Sequence, residues 1–160
     1  MSASPAPELI RLVYRSRSTL DGAASEVERD LAAILERARA RNAAAEVTGA
    51  LMFTRLMFVQ ALEGPAAAME DVFERICRDP RHADLEVIEY AVAGERVFGD
   101  WSMRHLVPDA QTEAQVALAG EGAGEHGGEN GGDAATAALR LMRALLSCAD
   151  SPAPTARAAA

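Results

Sequence analysis

Cysteine is scarce in this chain of 160 residues, and long apolar runs are absent. The two cysteines, Cys77 and Cys148, have no metal-ligand spacing and no secretory context, which predicts free thiols in a reducing compartment. The opening MSASPAPE has no apolar core of the kind that a signal peptide needs. No apolar stretch approaches the roughly 20 residues of a membrane span. We therefore expect a cytoplasmic protein that does not cross a membrane.

Positive charge is also in deficit, with 16 basic against 24 acidic residues and a formal net charge of −8. This balance argues against direct binding to nucleic acid or to an anionic membrane surface. The histidines, His82, His105 and His126, share no helical face with an acidic residue, so no metal site is expected. A GxGxxG match at 122–127 has no strand before it and is interpreted as a linker.

What the chain does contain is periodic apolar patterning, which predicts the order βαββαββ. A capping-box pattern, Ser25 to Glu28, indicates a helix that ends near Asn42, and Pro65 and Asp79 bracket a second helix. The strands are expected at 9–15, 48–54, 57–63, 85–93 and 101–107.

Two helices on one face of a mostly antiparallel sheet make an α+β fold, a ferredoxin-like sandwich with a C-terminal helical extension. The sheet's other face would be covered by the terminal helix or by a second subunit. The expected segments are a tail at 1–8, a domain at 9–108, a Gly/Glu-rich linker at 109–133, an amphipathic helix at 134–149 and a disordered tail at 150–160.

One polar residue, Gln60, lies in the apolar stretch MFVQALEG, on the same strand face as Phe58 and Leu62. A buried amide without partners costs about 1–3 kcal/mol, so a partner is required. Tyr14 points inward from the neighbouring strand. The two side chains satisfy each other, or they bind a ligand between the helices together with Asn42; the pattern leaves both open.

A resemblance emerges from five motifs taken in order: LVYRS (12–16), RN…VTGAL (41–51), FVQALEGP (58–65), IxxDPRH (76–82) and FGDWSM (98–103). From Leu9 to about Val107 the sequence resembles the BLUF domain, the flavin-binding blue-light sensor module. The resemblance implies a ferredoxin-like fold that holds flavin non-covalently, usually FAD, with the isoalloxazine ring between the two helices.

The resemblance also implies roles for individual residues. Tyr14 would donate an electron and a proton to the flavin, and the Gln60 amide would link the phenol to the ring. Asn42 would bind the pyrimidine edge, with Arg41 as its neighbour. Light would leave the amide rotated or tautomerised, with no covalent adduct.

Two further groups of residues match family positions. Asp79, Arg81 and His82 match positions near the ribityl chain and phosphates. Trp101 and Met103, expected on one strand face, match the switch pair, of which one or the other lies near Gln60.

The function implied is that of a short BLUF photoreceptor, which is not an enzyme and signals through contacts with a partner or between subunits. A homo-oligomer and an unidentified downstream protein are expected. The alternatives are a ferredoxin-like small-ligand protein or enzyme without flavin photochemistry, and a light-blind oligomerisation module. The sequence does not decide between FAD and FMN.

Overall fold

The computed structural model describes residues 6–54, 56–99, 101–114, 140 and 142. Within them the predicted order βαββαββ is confirmed. The elements are β1 (Leu9–Ser18), α1 (Ala24–Ala44), β2 (Thr48–Phe53), β3 (Met57–Pro65), α2 (Ala66–Arg78), β4 (His82–Val92) and β5 (Arg104–Leu106).

The strands form one sheet in the order β4-β1-β3-β2-β5. Neighbouring strands run antiparallel, except that β5 runs parallel to β2. Both helices pack on one face, where Leu31 and Leu35 of α1 and Met69 and Val72 of α2 join the apolar residues of β1 and β3. This is the ferredoxin-like α+β sandwich that the sequence predicts.

Alternation along β1 creates two separate cores. Ile10, Leu12 and Tyr14 belong to the cluster under the helices, which we call the inner face. Val13 belongs to a second cluster, on the outer face. Met142 is fully buried in that outer cluster. Part of the segment expected to be the amphipathic helix at 134–149 therefore covers the outer face, and its remainder, like 115–133 and 150–160, lies outside the described residues.

Several element ends differ from the prediction. Helix α1 begins at Ala24 instead of after Ser25, because the Glu26 carboxylate accepts the Ala23 N–H at 2.8 Å. The last strand is limited to Arg104–Leu106. Residues 110–114, expected to begin the linker, are helical, and Thr112 is buried.

Gly49 allows β2 to approach β3 closely. A Cβ at this position would lie 2.3 Å from the carbonyl oxygen of Ala61 and 2.9 Å from Leu62 Cδ2. Any side chain would push the two backbones apart. The glycine thus keeps β2 in register with the strand that carries Gln60.

The buried carboxylate of Glu63, at the end of β3, holds the loop that follows β4. It accepts hydrogen bonds from the backbone N–H groups of Val97 (2.9 Å) and Phe98 (3.2 Å). On the other side it accepts from Arg11 Nε at 3.0 Å. The loop that leads to Met103 is therefore fixed to the central strands.

Candidate functional site

A cleft opens between α1 and α2 above the inner face of the sheet. Its walls are apolar, its floor carries polar side chains, and its mouth is rich in arginine. The lining residues include Ile34, Ala38, Val72 and Ile76 on the walls, Tyr14, Gln60, Asn42 and Met103 on the floor, and Arg37, Arg41, Arg75, Asp79, Arg81 and His82 towards the mouth.

Tyr14 and Gln60 lie directly opposite each other in the β1–β3 pairing. Their side chains are 0% and 7% exposed, and the Tyr14 hydroxyl donates a hydrogen bond to Gln60 Oε1. Burial raises the pKa of Tyr14 well above its ordinary value, and the neighbouring Asp79 and Cys77 act in the same direction. The phenol is therefore neutral and keeps its proton.

The other end of the Gln60 amide is directed at Met103. Gln60 Nε2 donates to Met103 Sδ at 3.4 Å, and Met103 is buried in the inner cluster. Trp101 instead packs against the outer cluster, where the Arg104 guanidinium lies 4.9 Å from its ring centroid. The expectation that Trp101 and Met103 share one face is thus wrong, because the segment before Arg104 is not part of the strand.

Asn42, near the end of α1, is buried and borders the cleft. Its Nδ2 donates to the carbonyl oxygen of Ser102 at 2.7 Å. Nδ2 carries two hydrogens and Oδ1 can accept, so the amide retains capacity for a ligand. The neighbouring Arg41 is exposed and contributes to the lining of the cleft.

The corner after α2 brings Asp79, Arg81 and His82 to the cleft. Arg81 Nε donates to Asp79 Oδ1 at 2.8 Å. Burial would raise the pKa of Asp79, but the hydrogen bonds and charge of Arg81 outweigh it and hold that pKa below its ordinary value. The His82 ring contacts Phe58, with centroids 4.6 Å apart. Burial lowers the pKa of His82.

Three further residues at the site were not singled out from the sequence. Ser16 is fully buried, and its Oγ lies 2.7 Å from His82 Nδ1. Arg37 and Arg75 face the cleft from opposite helices. Helical spacing could have indicated the arginines, since Arg37 lies one turn before Arg41 and Arg75 is adjacent to the apolar stripe of α2.

The charge at the mouth is opposite to that of the whole molecule. Of the described residues that line the cleft, four are arginines, Arg37, Arg41, Arg75 and Arg81, and one is acidic, Asp79, although the chain carries a formal charge of −8. Apolar walls suit a flat aromatic ring, the floor amides suit its polar edge, and the guanidinium groups suit phosphate. The residues present therefore fit a flavin nucleotide.

Comparison with known proteins agrees with this geometry. The family model "BLUF: Sensors of blue-light using FAD" matches residues 9–104. This chain belongs to the BLUF family. The photoactivated adenylate cyclase subunit beta of Euglena gracilis is 36% identical over 104 residues, which are 64% of this chain and 12% of that protein.

Solved BLUF structures share the fold. The dark-state structure of BlrB, a BLUF protein, matches with a TM-score of 0.65 and 27% identity, covering 89% of this chain and 98% of that chain. Klebsiella pneumoniae BlrP1 with FMN and cyclic diGMP matches with a TM-score of 0.57 and 32% identity, covering 69% of this chain and 30% of that chain.

The BLUF family consists of blue-light sensors that use a flavin. The chain spans only a small part of the length of the curated cyclase subunits. Among the described residues, no helix combines the length and apolar character needed to cross a bilayer.

Proposed function

We propose that this chain is a blue-light photoreceptor that holds FAD non-covalently in the cleft and signals by rearranging the Gln60 amide. The observation that carries the proposal is the continuous hydrogen-bonded series Tyr14–Gln60–Met103 on the cleft floor. Bound there, the flavin would supply the absorption of blue light and an excited-state oxidant. The protein supplies an electron, a proton and a movable amide.

Tyr14 is the source of both the electron and the proton. Its neutral hydroxyl already donates to Gln60 Oε1, so loss of an electron from the ring lets the proton leave along that hydrogen bond. Both return to Tyr14 afterwards, and no covalent bond is left. An amide that has rotated meanwhile presents its N–H groups where its oxygen was. Met103 then loses the donor that contacts its sulfur.

The two tyrosines of the chain provide a matched test. Tyr14→Phe removes the buried hydroxyl, whereas Tyr90→Phe removes one from an exposed ring on β4. We expect both variants to bind flavin, and only Tyr14→Phe to lose the stable red-shifted state in a light-minus-dark spectrum. A wild-type photocycle in Tyr14→Phe would show that another residue is the donor.

The arginines at the mouth support FAD, since FAD carries two phosphates, FMN one and riboflavin none. Guanidinium–phosphate contacts between exposed groups weaken as salt screens them. We expect the apoprotein to bind FAD and FMN more tightly than riboflavin at low ionic strength, and the difference to shrink in 1 M salt. Isothermal titration with the three flavins would measure this. Equal affinities for the three flavins at low salt would show that Arg37 and Arg75 do not bind phosphate.

We propose that the output leaves through Met103. Met103, on the inner face, is followed by β5, whose Leu106 belongs to the outer cluster that also contains Met142. Illumination is expected to change hydrogen exchange at 101–106 and to alter contacts with a second subunit or a downstream cytoplasmic protein. Protection changes confined to 19–23, with 101–106 unchanged, would contradict this route.

A further inference from the structure

The segment that contacts Gln60 is held by one backbone group of β2 and by two side chains of α1. Residues 101–103 precede β5, so they lack its ladder with β2. Three contacts fix their carbonyl oxygens instead. Gly49 N–H donates to Trp101 at 2.9 Å, Asn42 Nδ2 to Ser102 at 2.7 Å, and Arg39 Nε to Met103 at 3.0 Å. The carbonyl of Met103 itself is thus bound by a side chain of α1.

Arg39 differs from Asn42 in its relation to the cleft. Asn42 borders the cleft, where a bound flavin would engage the same amide. Arg39 is an exposed residue outside the cleft lining, and it reaches the site only through the main-chain carbonyl of Met103, which does line the cleft. Arg39 therefore holds Met103 without itself lining the cleft.

The rigidity of Met103 matters because its sulfur is a weak acceptor. Unless the segment is fixed, a Met side chain with three rotatable bonds has little reason to remain at 3.4 Å from Gln60 Nε2. A guanidinium donating to the Met103 carbonyl is a charge-assisted hydrogen bond, which is roughly twice as strong as a neutral one. It fixes the backbone from which the side chain extends.

We propose that Arg39 is a positioning residue that holds the Met103 segment against Gln60 and thereby sets the lifetime of the light-altered state. It acts through the Met103 carbonyl and lies outside the cleft lining. Without this contact the segment has more freedom, and the barrier that separates the rearranged amide from its dark arrangement is lower. The predicted effect on the lifetime rests on the proposed photoreceptor function. The predicted positioning of the Met103 segment by Arg39 does not.

The experiment compares Arg39→Gln with Arg29→Gln, which removes the same charge from an exposed position near the start of α1. Hydrogen exchange and acrylamide quenching are measured on the full chain in the dark. Trp101, the only tryptophan, reports on the segment. We expect faster exchange at 101–106 and stronger quenching in Arg39→Gln but not in Arg29→Gln. Arg39→Lys should be intermediate, because an ammonium group donates without the planar fork of the guanidinium.

The second readout is dark recovery after illumination. Arg39→Gln should reach the full red shift, since Tyr14 and Gln60 are intact, and then recover at least threefold faster than the wild type and Arg29→Gln. Unchanged exchange and quenching in Arg39→Gln would overturn the inference, and so would an unchanged recovery rate. If the wild type shows no red shift at all, the proposed function fails, while exchange and quenching still decide whether Arg39 holds the segment.

Discussion

The hydrogen bond between Tyr14 and Gln60 joins two buried side chains on the floor of the cleft. Each side chain is the other's partner, so removing one leaves a buried polar group unsatisfied, at about 1–3 kcal/mol. Removing both leaves none. The pair therefore offers a test of its dark-state geometry that does not depend on light.

At the scale of these two residues, Tyr14→Phe, Gln60→Leu and the double variant form a cycle. We expect Gln60→Leu to lower the free energy of unfolding by about 2 kcal/mol, because the Tyr14 hydroxyl loses its acceptor. The double variant should be more stable than the sum of the single effects predicts, by about 1 kcal/mol. Urea denaturation of the apoproteins measures each term.

The control for this cycle is Gln111→Leu, at an exposed position outside the cleft lining and far from Tyr14 and Gln60 in sequence. Its effect should lie within about 0.5 kcal/mol and be the same in the presence or absence of Tyr14→Phe. Strict additivity of Tyr14→Phe and Gln60→Leu would mean that the two side chains do not share a hydrogen bond in solution.

Strand alternation was enough to predict Tyr14 and Gln60 on one buried face, because side-chain period two is a local property. The roles of Ser16 and Arg39 depend on contacts with residues more than 60 positions away in the chain. No local pattern encodes such partners. Trp101 was misplaced for a related reason, since alternation applies only within a strand and β5 begins three residues later.

Among the elements, β3 and the loop after β4 are connected by an ionised group. Glu63 is fully buried and forms an ion pair with Arg11, whose side chain is 16% exposed. It also accepts hydrogen bonds from two backbone N–H groups. Glu86 makes a comparable pair with Arg15, but its side chain is 50% exposed. The two pairs are thus the same type of contact, one in the interior and the other at the surface.

We expect Glu63→Gln to destabilise the protein by about 3 kcal/mol, because an amide NH₂ would face N–H donors and Arg11 would lose its counter-charge. Glu86→Gln, the matched surface change, should cost less than about 1 kcal/mol. Urea denaturation gives both values, and hydrogen exchange should rise at 94–99 only in Glu63→Gln. Equal costs for the two changes would show that the interior carboxylate does not hold the loop.

Helix α1 illustrates how far element ends can be predicted. Its apolar stripe was evident from the spacing of Leu31, Ile34, Leu35 and Ala38, which pack on the inner face. Its start was misassigned to Ser25 because the capping pattern has a competitor two residues earlier. The Glu26 carboxylate can accept a hydrogen bond from the backbone N–H of Ala23, a residue that has no side-chain oxygen of its own. Capping is decided by small energy differences that a motif alone does not resolve.

For the molecule as a whole, two half-buried histidines connect stability to pH. Burial lowers the pKa of His82. The charge of Asp79 opposes this shift, and the charge of Arg81 adds to it. Burial and the nearby Arg39 lower the pKa of His105. The unfolded chain therefore binds protons more readily than the folded chain. The contribution of these two histidines to the free energy of unfolding is fully present above about pH 6.5, the ordinary histidine pKa. It is lost as the pH falls below that value.

We expect the urea midpoint of the apoprotein to fall between pH 7.5 and pH 5.5, and His105→Gln to reduce that fall. Asp79 does not contribute in this interval, because its pKa lies below an ordinary value of 3.8. Its contribution is lost only in more acidic solution, as the pH falls through the folded-state pKa. A midpoint that rises on acidification to pH 5.5 would mean that the histidines gain stabilising partners when protonated.

The pairing of Tyr14 with Gln60 also limits how the length of this chain can change during evolution. A single-residue insertion or deletion inside β1 or β3 would shift the pairing by one position and turn one of the two side chains to the opposite face. The sandwich could still form, with a cleft and arginines at its mouth, but without a phenol next to the amide. Length variation that preserves this pairing is therefore expected in connections such as 20–23, which lie outside the ladder between β1 and β3.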